Sequence, residues 1–144
     1  MRFFLIIVSF SMLLFSGCSA DKNKREIETT ISIFQESLIQ KDFNRVLTII
    51  DNNNVELIKI FSEEALATEH SENFTAFKTI ETVMSKNEAV VTMETDYEVK
   101  NNWSDDYDKL QLILTLHLQK KEGKWLIHKI EDELAPGSTR SPQK

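Results

Sequence analysis

The chain has 144 residues, of which 41% are hydrophobic and 28% charged, a composition that fits one folded domain rather than a disordered chain. Its formal net charge is −6 at pH 7, so total charge gives it no attraction for nucleic acid or an anionic leaflet, and we expect no nucleic-acid partner. The single cysteine, Cys18, has no partner for a disulfide and too few thiols beside it for a cysteine-based metal site.

The first seventeen residues have the organisation of a secretory signal. Arg2 provides the positive start, and an apolar run over 3–15 follows, interrupted only by Ser9 and Ser11. This run is shorter than the roughly twenty residues needed to span a bilayer. Two small residues, Ser16 and Gly17, then directly precede the cysteine. The arrangement resembles the bacterial lipobox, with Phe15 where that signal usually has leucine.

The lipobox resemblance implies a location and an anchor. Residues 1–17 would be removed as a signal peptide, and Cys18 would become the lipidated first residue of the mature chain. Two or three acyl chains, such as palmitate, hold a protein stably on a membrane. We therefore expect a lipoprotein on the extracytoplasmic face of the cell membrane, or on the outer membrane in a host with two, with residues 18–24 as a lipidated tether.

The first half of the domain is predicted to be helical. One apolar stripe at helical spacing predicts a helix over about 24–40, and Asp42 is a suitable N-cap for a second, short helix. Residues 51–54 (DNNN) favour a turn, and a third helical segment follows from Val55. The stripe of the first helix consists of Ile27, Ile31, Phe34 and Leu38.

The second half changes to the two-residue period of strands. Strands are predicted over 74–85, 88–100, 110–118 and 125–130, with turns at 86–87 and 121–124 and a polar loop at 101–108. Residues 135–144 contain Pro136, Gly137 and Pro142 and are predicted to be a disordered tail. The folded domain is thus expected over 25–134.

Helices followed by antiparallel strands predict an α+β fold in which the helices pack on one face of a curved antiparallel sheet. The long first helix, the segment KDFNRVLTIID (41–51) and the closing strand EGKWLIHKIED (122–132) are similar to the nuclear transport factor 2-like superfamily. A cystatin-like α+β domain is the main alternative. The resemblance implies a cone-shaped fold whose pocket serves either isomerase or dehydratase chemistry or passive binding.

The inward strand positions suggest no catalytic group. On the two central strands they are apolar except for Thr95 and Tyr97, so we expect a closed or apolar pocket, no enzymatic activity and no cofactor. On the opposite face the predicted hairpin register places His117 across from His128, with Glu94 nearby. Such a trio could ligate zinc or copper, but the preferred interpretation is that it holds no metal.

Two aromatics in the polar loop, Trp103 and Tyr107, are candidates for contact with an envelope protein partner. The preferred functional hypothesis is a lipid-anchored extracytoplasmic binding or accessory lipoprotein without catalysis, which binds a protein partner or a small apolar ligand. An isomerase or dehydratase that uses the cone pocket is one alternative. An exclusion or accessory lipoprotein of a mobile element is another.

Overall fold

A computed structural model describes residues 2–70, 72–100 and 106–138, with side chains described from residue 19 onward. Within these residues, three helices precede four strands: α1 (Arg2–Gln40), α2 (Phe43–Leu47), α3 (Val55–Leu66), β1 (Glu72–Met84), β2 (Glu88–Lys100), β3 (Tyr107–Lys121) and β4 (Lys124–Leu134). The helices cover one face of an antiparallel sheet, which confirms the predicted α+β class.

The helices follow the predicted apolar stripes and caps. All four stripe residues of α1 are buried against the sheet. Helix α2 begins after Asp42, whose carboxylate accepts a hydrogen bond from the amide of Arg45. Helix α3 begins after Asn54, whose side chain accepts from the amide of Leu57. Each cap satisfies an amide that the first helical turn leaves without a partner.

The sheet is a meander in the order β1-β2-β3-β4. Its inward face is the predicted one, because the alternating residues of β2 and the leucines of β3 are buried under the helices. Two register shifts in β1, after Phe74 and after Thr79, and one between β3 and β4 interrupt the ladder. Such bulges bend a strand and increase its twist, which produces the curvature of the sheet.

The register of the β3–β4 hairpin differs from the predicted one beyond its first four pairs. Its turn is formed by Glu122 and Gly123, with φ of 50° and 79°, as a two-residue turn requires. From Leu118 to Lys121 the pairing is the predicted one, but a bulge shifts it beyond that point. His117 therefore pairs with Lys129, and the predicted pairing with His128 is wrong.

The segment between α2 and α3 packs along the free edge of β4. Ile50 forms a parallel bridge with Ile127, and the amide of Asp51 donates to the Ile127 carbonyl at 2.8 Å. The buried Asp51 carboxylate also accepts a hydrogen bond from Lys121 Nζ at 2.6 Å. The predicted turn at 51–54 thus attaches the helices to the hairpin.

Two terminal segments differ from expectation. The structure places residues 19–24, predicted as a tether, within α1. Ala135 is buried and its amide donates to Gln111, while Ser138 Oγ accepts from the Gln111 amide, so the first residues of the predicted tail belong to the folded domain. Over the described residues, the structure contains no helix with the length and apolarity needed to cross a bilayer.

Candidate functional site

A cavity of about 490 Å³ lies between the helices and the concave face of the sheet. Every helix and every strand contributes to its wall. Its apolar lining consists of Phe34, Leu38, Phe43, Ile60, Phe61, Ala67, Phe74, Tyr97, Leu112, Leu114 and Ile130. The inner end of the cone is closed by fully buried core residues, among them Leu116 and Ile127.

Aromatic pairs form much of the apolar wall. The rings of Phe43 and Phe61 stack with centroids 6.4 Å apart, which fixes α2 against α3. On the sheet side, the centroids of Phe74 and Tyr97 lie 5.0 Å apart across β1 and β2. These contacts follow from the sequence pattern, because both strand residues occupy inward positions of paired strands. The wall is therefore held by packing from two layers.

A histidine and a carboxylate introduce polarity into this wall. His70 lies between α3 and β1, and its Nδ1 is 3.0 Å from Oε2 of Glu64. The imidazole centroid lies 5.0 Å from that of Phe43, and only 16% of the His70 side chain is exposed. Because a carboxylate only accepts hydrogen bonds, this geometry places a proton on Nδ1 and leaves Nε2 of the neutral ring as an acceptor.

The charged residues that line the cavity are mainly acidic. Glu64, Glu69, Glu72 and Asp132 contribute carboxylates, and Lys41 contributes the one amino group among the lining residues. Glu69, Glu72 and Asp132 are exposed, so these charges lie toward the mouth rather than the apolar interior. The mouth therefore favours a cationic or neutral molecule over an anion.

The sequence predicts only part of this site. The inward positions of β2 and β3 are apolar with Tyr97 among them, as expected. The expectation of a closed or apolar pocket is wrong, because a cavity of about 490 Å³ is present and His70 and Glu64 enter its wall from α3 and the segment that follows it. His70 had no predicted role, since a histidine in a polar loop has no periodicity that would orient it.

The outward face of the sheet brings the two other histidines together, but in an altered arrangement. Their ring centroids are 6.1 Å apart, and Nε2 of His117 lies 2.6 Å from Oε2 of Glu131. Lys129 and then His117, by hydrogen bonds to its carboxylate, hold the pKa of Glu131 below its usual value. Glu94 pairs with Ile113, four residues along β3 from His117, so the predicted grouping with Glu94 is wrong.

Among the described residues, no group of three or more histidine, cysteine, aspartate or glutamate side chains is arranged to hold a metal ion. Of the two aromatic candidates, Tyr107 is the first residue of β3, pairs with Lys100 and is 43% exposed. Trp103 lies outside the described residues. The side chain of Cys18, the predicted lipidation site, is likewise outside the described part of the chain.

Comparison with known proteins defines the fold. No protein-family model matches the sequence, and a search of curated proteins found no match. Among solved structures, a ketosteroid isomerase-like protein from Erwinia carotovora atroseptica superposes with a TM-score of 0.64 at 16% identity, over 75% of this chain and 92% of that one. A proposed dehydratase of the NTF2-like family from Streptomyces avermitilis has a TM-score of 0.61 at 10% identity, over 80% and 98%.

A third similar structure is a protein of unknown function with a cystatin-like fold from Nostoc punctiforme, with a TM-score of 0.53 at 20% identity over 79% of this chain and 92% of that one. These likenesses confirm the predicted nuclear transport factor 2-like, or cystatin-like, α+β cone. At such low identities they establish the fold alone, since one fold carries many unrelated functions.

Proposed function

We propose that this protein is a lipid-anchored extracytoplasmic binding protein whose cone cavity holds a small molecule with an apolar body and a neutral or cationic polar end, without catalysing a reaction on it. The observation that carries this proposal is the cavity itself, an aromatic-lined space with one histidine–carboxylate pair in its wall. Its volume of about 490 Å³ falls within the range of roughly 300–1,000 Å³ typical of small-molecule sites.

The character of the ligand follows from the distribution of polar groups. The Phe43–Phe61 and Phe74–Tyr97 pairs supply apolar area, which favours a hydrocarbon or aromatic body. His70, with its Nδ1 near Glu64, offers Nε2 as an acceptor for a hydroxyl or amine of the ligand. The surrounding carboxylates would repel an acid, so we propose an alcohol, amide or amine rather than a fatty acid.

The anchor is proposed from the sequence at Cys18. The signal-like residues 1–17, the small residues before the cysteine and the absence of any other cysteine all favour lipidation. A lipid at this point would hold the domain at the membrane surface. Mass spectrometry of the mature N-terminus would show a lipid on Cys18, and Cys18→Ala would release the protein from the membrane fraction; an unmodified Cys18 would refute the anchor.

Ligand class can be tested with two fluorescent probes that share one ring system. N-phenylnaphthylamine is neutral, and anilinonaphthalene sulfonate adds an anionic group to the same rings. Titrated into residues 19–144 without the lipid, the neutral probe should bind with enhanced fluorescence. The sulfonate should bind at least about fivefold more weakly, because like charges at the mouth cost on the order of 1 kcal/mol even in water-like surroundings.

The site of binding is assigned by a pair of neighbouring substitutions. Ala67 lines the cavity and is exposed, so Ala67→Trp should obstruct the mouth and abolish probe binding. Leu66 is 84% exposed and does not line the cavity, so Leu66→Trp is the matched control. Both variants should melt at the temperature of the unsubstituted domain. Equal probe binding by the two variants would show that the probe lies elsewhere and would refute the proposal.

An isomerase or dehydratase is the second candidate, because His70 and Glu64 have the geometry of a general base and its orienting carboxylate. The isomerase-like and dehydratase relatives suggest the probe reaction, migration of a double bond into conjugation in an unsaturated steroid ketone. If the protein only binds its ligand, the wild-type domain should form the conjugated ketone no faster than the His70→Gln variant does. Conversion by the wild-type domain that His70→Gln abolishes would replace binding with catalysis as the function.

A further inference from the structure

One end of the folded domain collects basic side chains from three separate segments. Lys120 Nζ donates to Asn23 Oδ1 at 2.7 Å and lies 3.0 Å from Glu26 Oε2, which joins the β3–β4 hairpin to α1. The amide of Lys120 donates to the Asn87 carbonyl at 2.8 Å, which brings the β1–β2 turn to the same place. We call this region the basic end; its cationic residues are Lys22, Lys24, Arg25, Lys86, Lys120, Lys121 and Lys124.

The basic end differs in sign from the rest of the domain. Its three segments are residues 21–26, 86–88 and 120–124. Together with the attached Asp51 they contribute seven cationic side chains and five carboxylates, the latter being Asp21, Glu26, Asp51, Glu88 and Glu122. The mature chain from Cys18 carries 16 lysines and arginines against 23 aspartates and glutamates. The remainder therefore has nine cationic residues against eighteen acidic ones. The total charge of the chain, which predicted no attraction for anionic lipid, conceals a net excess of two positive charges here.

Several of these cations are available to an external partner. Lys120 and Lys121 are engaged with Glu26 and Asp51. Lys24, Lys86 and Lys124 are exposed and form no ion pair within the described part of the chain. Each of these two ion pairs cancels one cation and one carboxylate, so the excess of two positive charges is carried by the remaining cations, the exposed lysines among them.

The basic end is also the part of the domain nearest to the proposed lipid. Asn23, where a side chain first holds α1 to the hairpin, lies five positions after Cys18. Five residues rise about 7.5 Å in a helix and reach at most about 17 Å when extended. Residues 19–24 belong to α1, so the helical distance applies, and it places Asn23 and the adjacent Lys24 within the roughly 8–10 Å over which charges interact at physiological ionic strength.

We propose that the basic end docks on anionic phospholipid headgroups and so fixes the orientation of the domain on its membrane, an inference that rests on the proposed lipid anchor at Cys18. An excess of two positive charges near an anionic leaflet gives about 2 kcal/mol, or a preference of roughly thirtyfold for the docked orientation. The cavity mouth, which is acidic, is turned by the same field away from the leaflet.

The test is lysine accessibility in reconstituted vesicles. The mature lipidated protein is placed in vesicles of phosphatidylcholine alone or mixed with phosphatidylglycerol and treated briefly with a membrane-impermeant acetylating reagent. Mass spectrometry should show that Lys24, Lys86 and Lys124 react at least about fivefold more slowly in the anionic vesicles. The exposed Lys59, Lys78 and Lys109, which lie outside the basic end, should react equally in both, and high salt should remove the protection.

A charge-matched pair of variants locates the contact. Lys86→Glu combined with Lys124→Glu should remove the protection of Lys24, whereas Lys59→Glu combined with Lys78→Glu, an identical change in net charge, should leave it intact. Equal labelling of lipidated wild-type protein in the two vesicle types would overturn the docking while leaving the anchor in place. Absence of lipid from Cys18 in the same mass spectra would overturn the anchor and the docking together.

Discussion

The buried carboxylate of Asp51 should be among the most important polar groups for the stability of the domain. It accepts hydrogen bonds from Lys121 Nζ at 2.6 Å and from the amide of Asn53 at 3.1 Å, and the residue is 5% exposed. Asp51→Asn keeps the shape and one acceptor but removes the charge. We therefore expect the turn after α2 to lose its electrostatic attachment to the β3–β4 hairpin.

The size of the expected loss of stability depends on how far Lys121, the partner of Asp51, is exposed to water. A hydrogen bond between charged groups contributes about 1.5–3 kcal/mol. The Lys121 side chain is 33% exposed, so water screens part of its interaction with Asp51. Water also hydrates the Lys121 amino group once the carboxylate has been removed. We expect Asp51→Asn to lower the free energy of unfolding by about 1.5 kcal/mol near neutral pH. A double-mutant cycle with Lys121→Gln should return about 1 kcal/mol of coupling.

The loss of stability in Asp51→Asn should depend on pH. The hydrogen bond from Lys121 and then that from the Asn53 amide hold the pKa of Asp51 below its usual value. A depressed carboxyl pKa adds stability above the unfolded pKa of about 3.9, and this contribution disappears as the pH falls through the folded value.

Urea unfolding of residues 19–144 should therefore show a difference between wild type and Asp51→Asn that is full at pH 6 and shrinks steadily below pH 4. The substitution Asp42→Asn, which keeps a good N-cap, is the control and should cost only a few tenths of a kcal/mol. An Asp51→Asn difference that is negligible at pH 6, or unchanged at low pH, would refute the electrostatic account of this contact.

Further stability predictions concern α1 and the hairpin turn, and urea unfolding checks each. Ser37 Oγ is buried without a hydrogen-bond partner in the described structure, so Ser37→Ala should be neutral or stabilising by up to about 1 kcal/mol. Thr30 Oγ1 donates to the Trp125 carbonyl, so Thr30→Val should instead cost about 1 kcal/mol; equal effects would contradict both assignments. Gly123 has a φ of +79°, so Gly123→Ala should cost about 1–2 kcal/mol, whereas Glu122→Gly should not destabilise the turn.

The sequence was sufficient for the elements whose burial is periodic. The spacing of Ile27, Ile31, Phe34 and Leu38 could only bury one side as a helix, and the alternation along 88–100 could only bury one side as a strand. These local rules, together with the short turn at Glu122 and Gly123, define the α+β order and most of the sheet register.

The errors arise where a contact is not periodic. The bulge beyond Leu118 moves His117 from His128 to Lys129, and no local signal in the sequence marks the extra residue. His70 reaches the cavity wall only because α3 and β1 bring it beside Glu64 and Phe43. The prolines and glycine that follow Ala135 predict a tail, but Ala135 is buried and its amide donates a hydrogen bond to the Gln111 carbonyl.

Occupancy of the cone cavity in the protein's own membrane is the most direct test of a binding function. Native mass spectrometry of the mature protein, extracted gently from its envelope, should show a non-covalent small molecule that dissociates on activation and lacks an acidic group. The ligand should persist in Leu66→Trp and be absent from Ala67→Trp, whose indole would occupy the mouth. Wild-type protein whose cavity carries no small molecule, or a ligand retained by Ala67→Trp, would contradict the account.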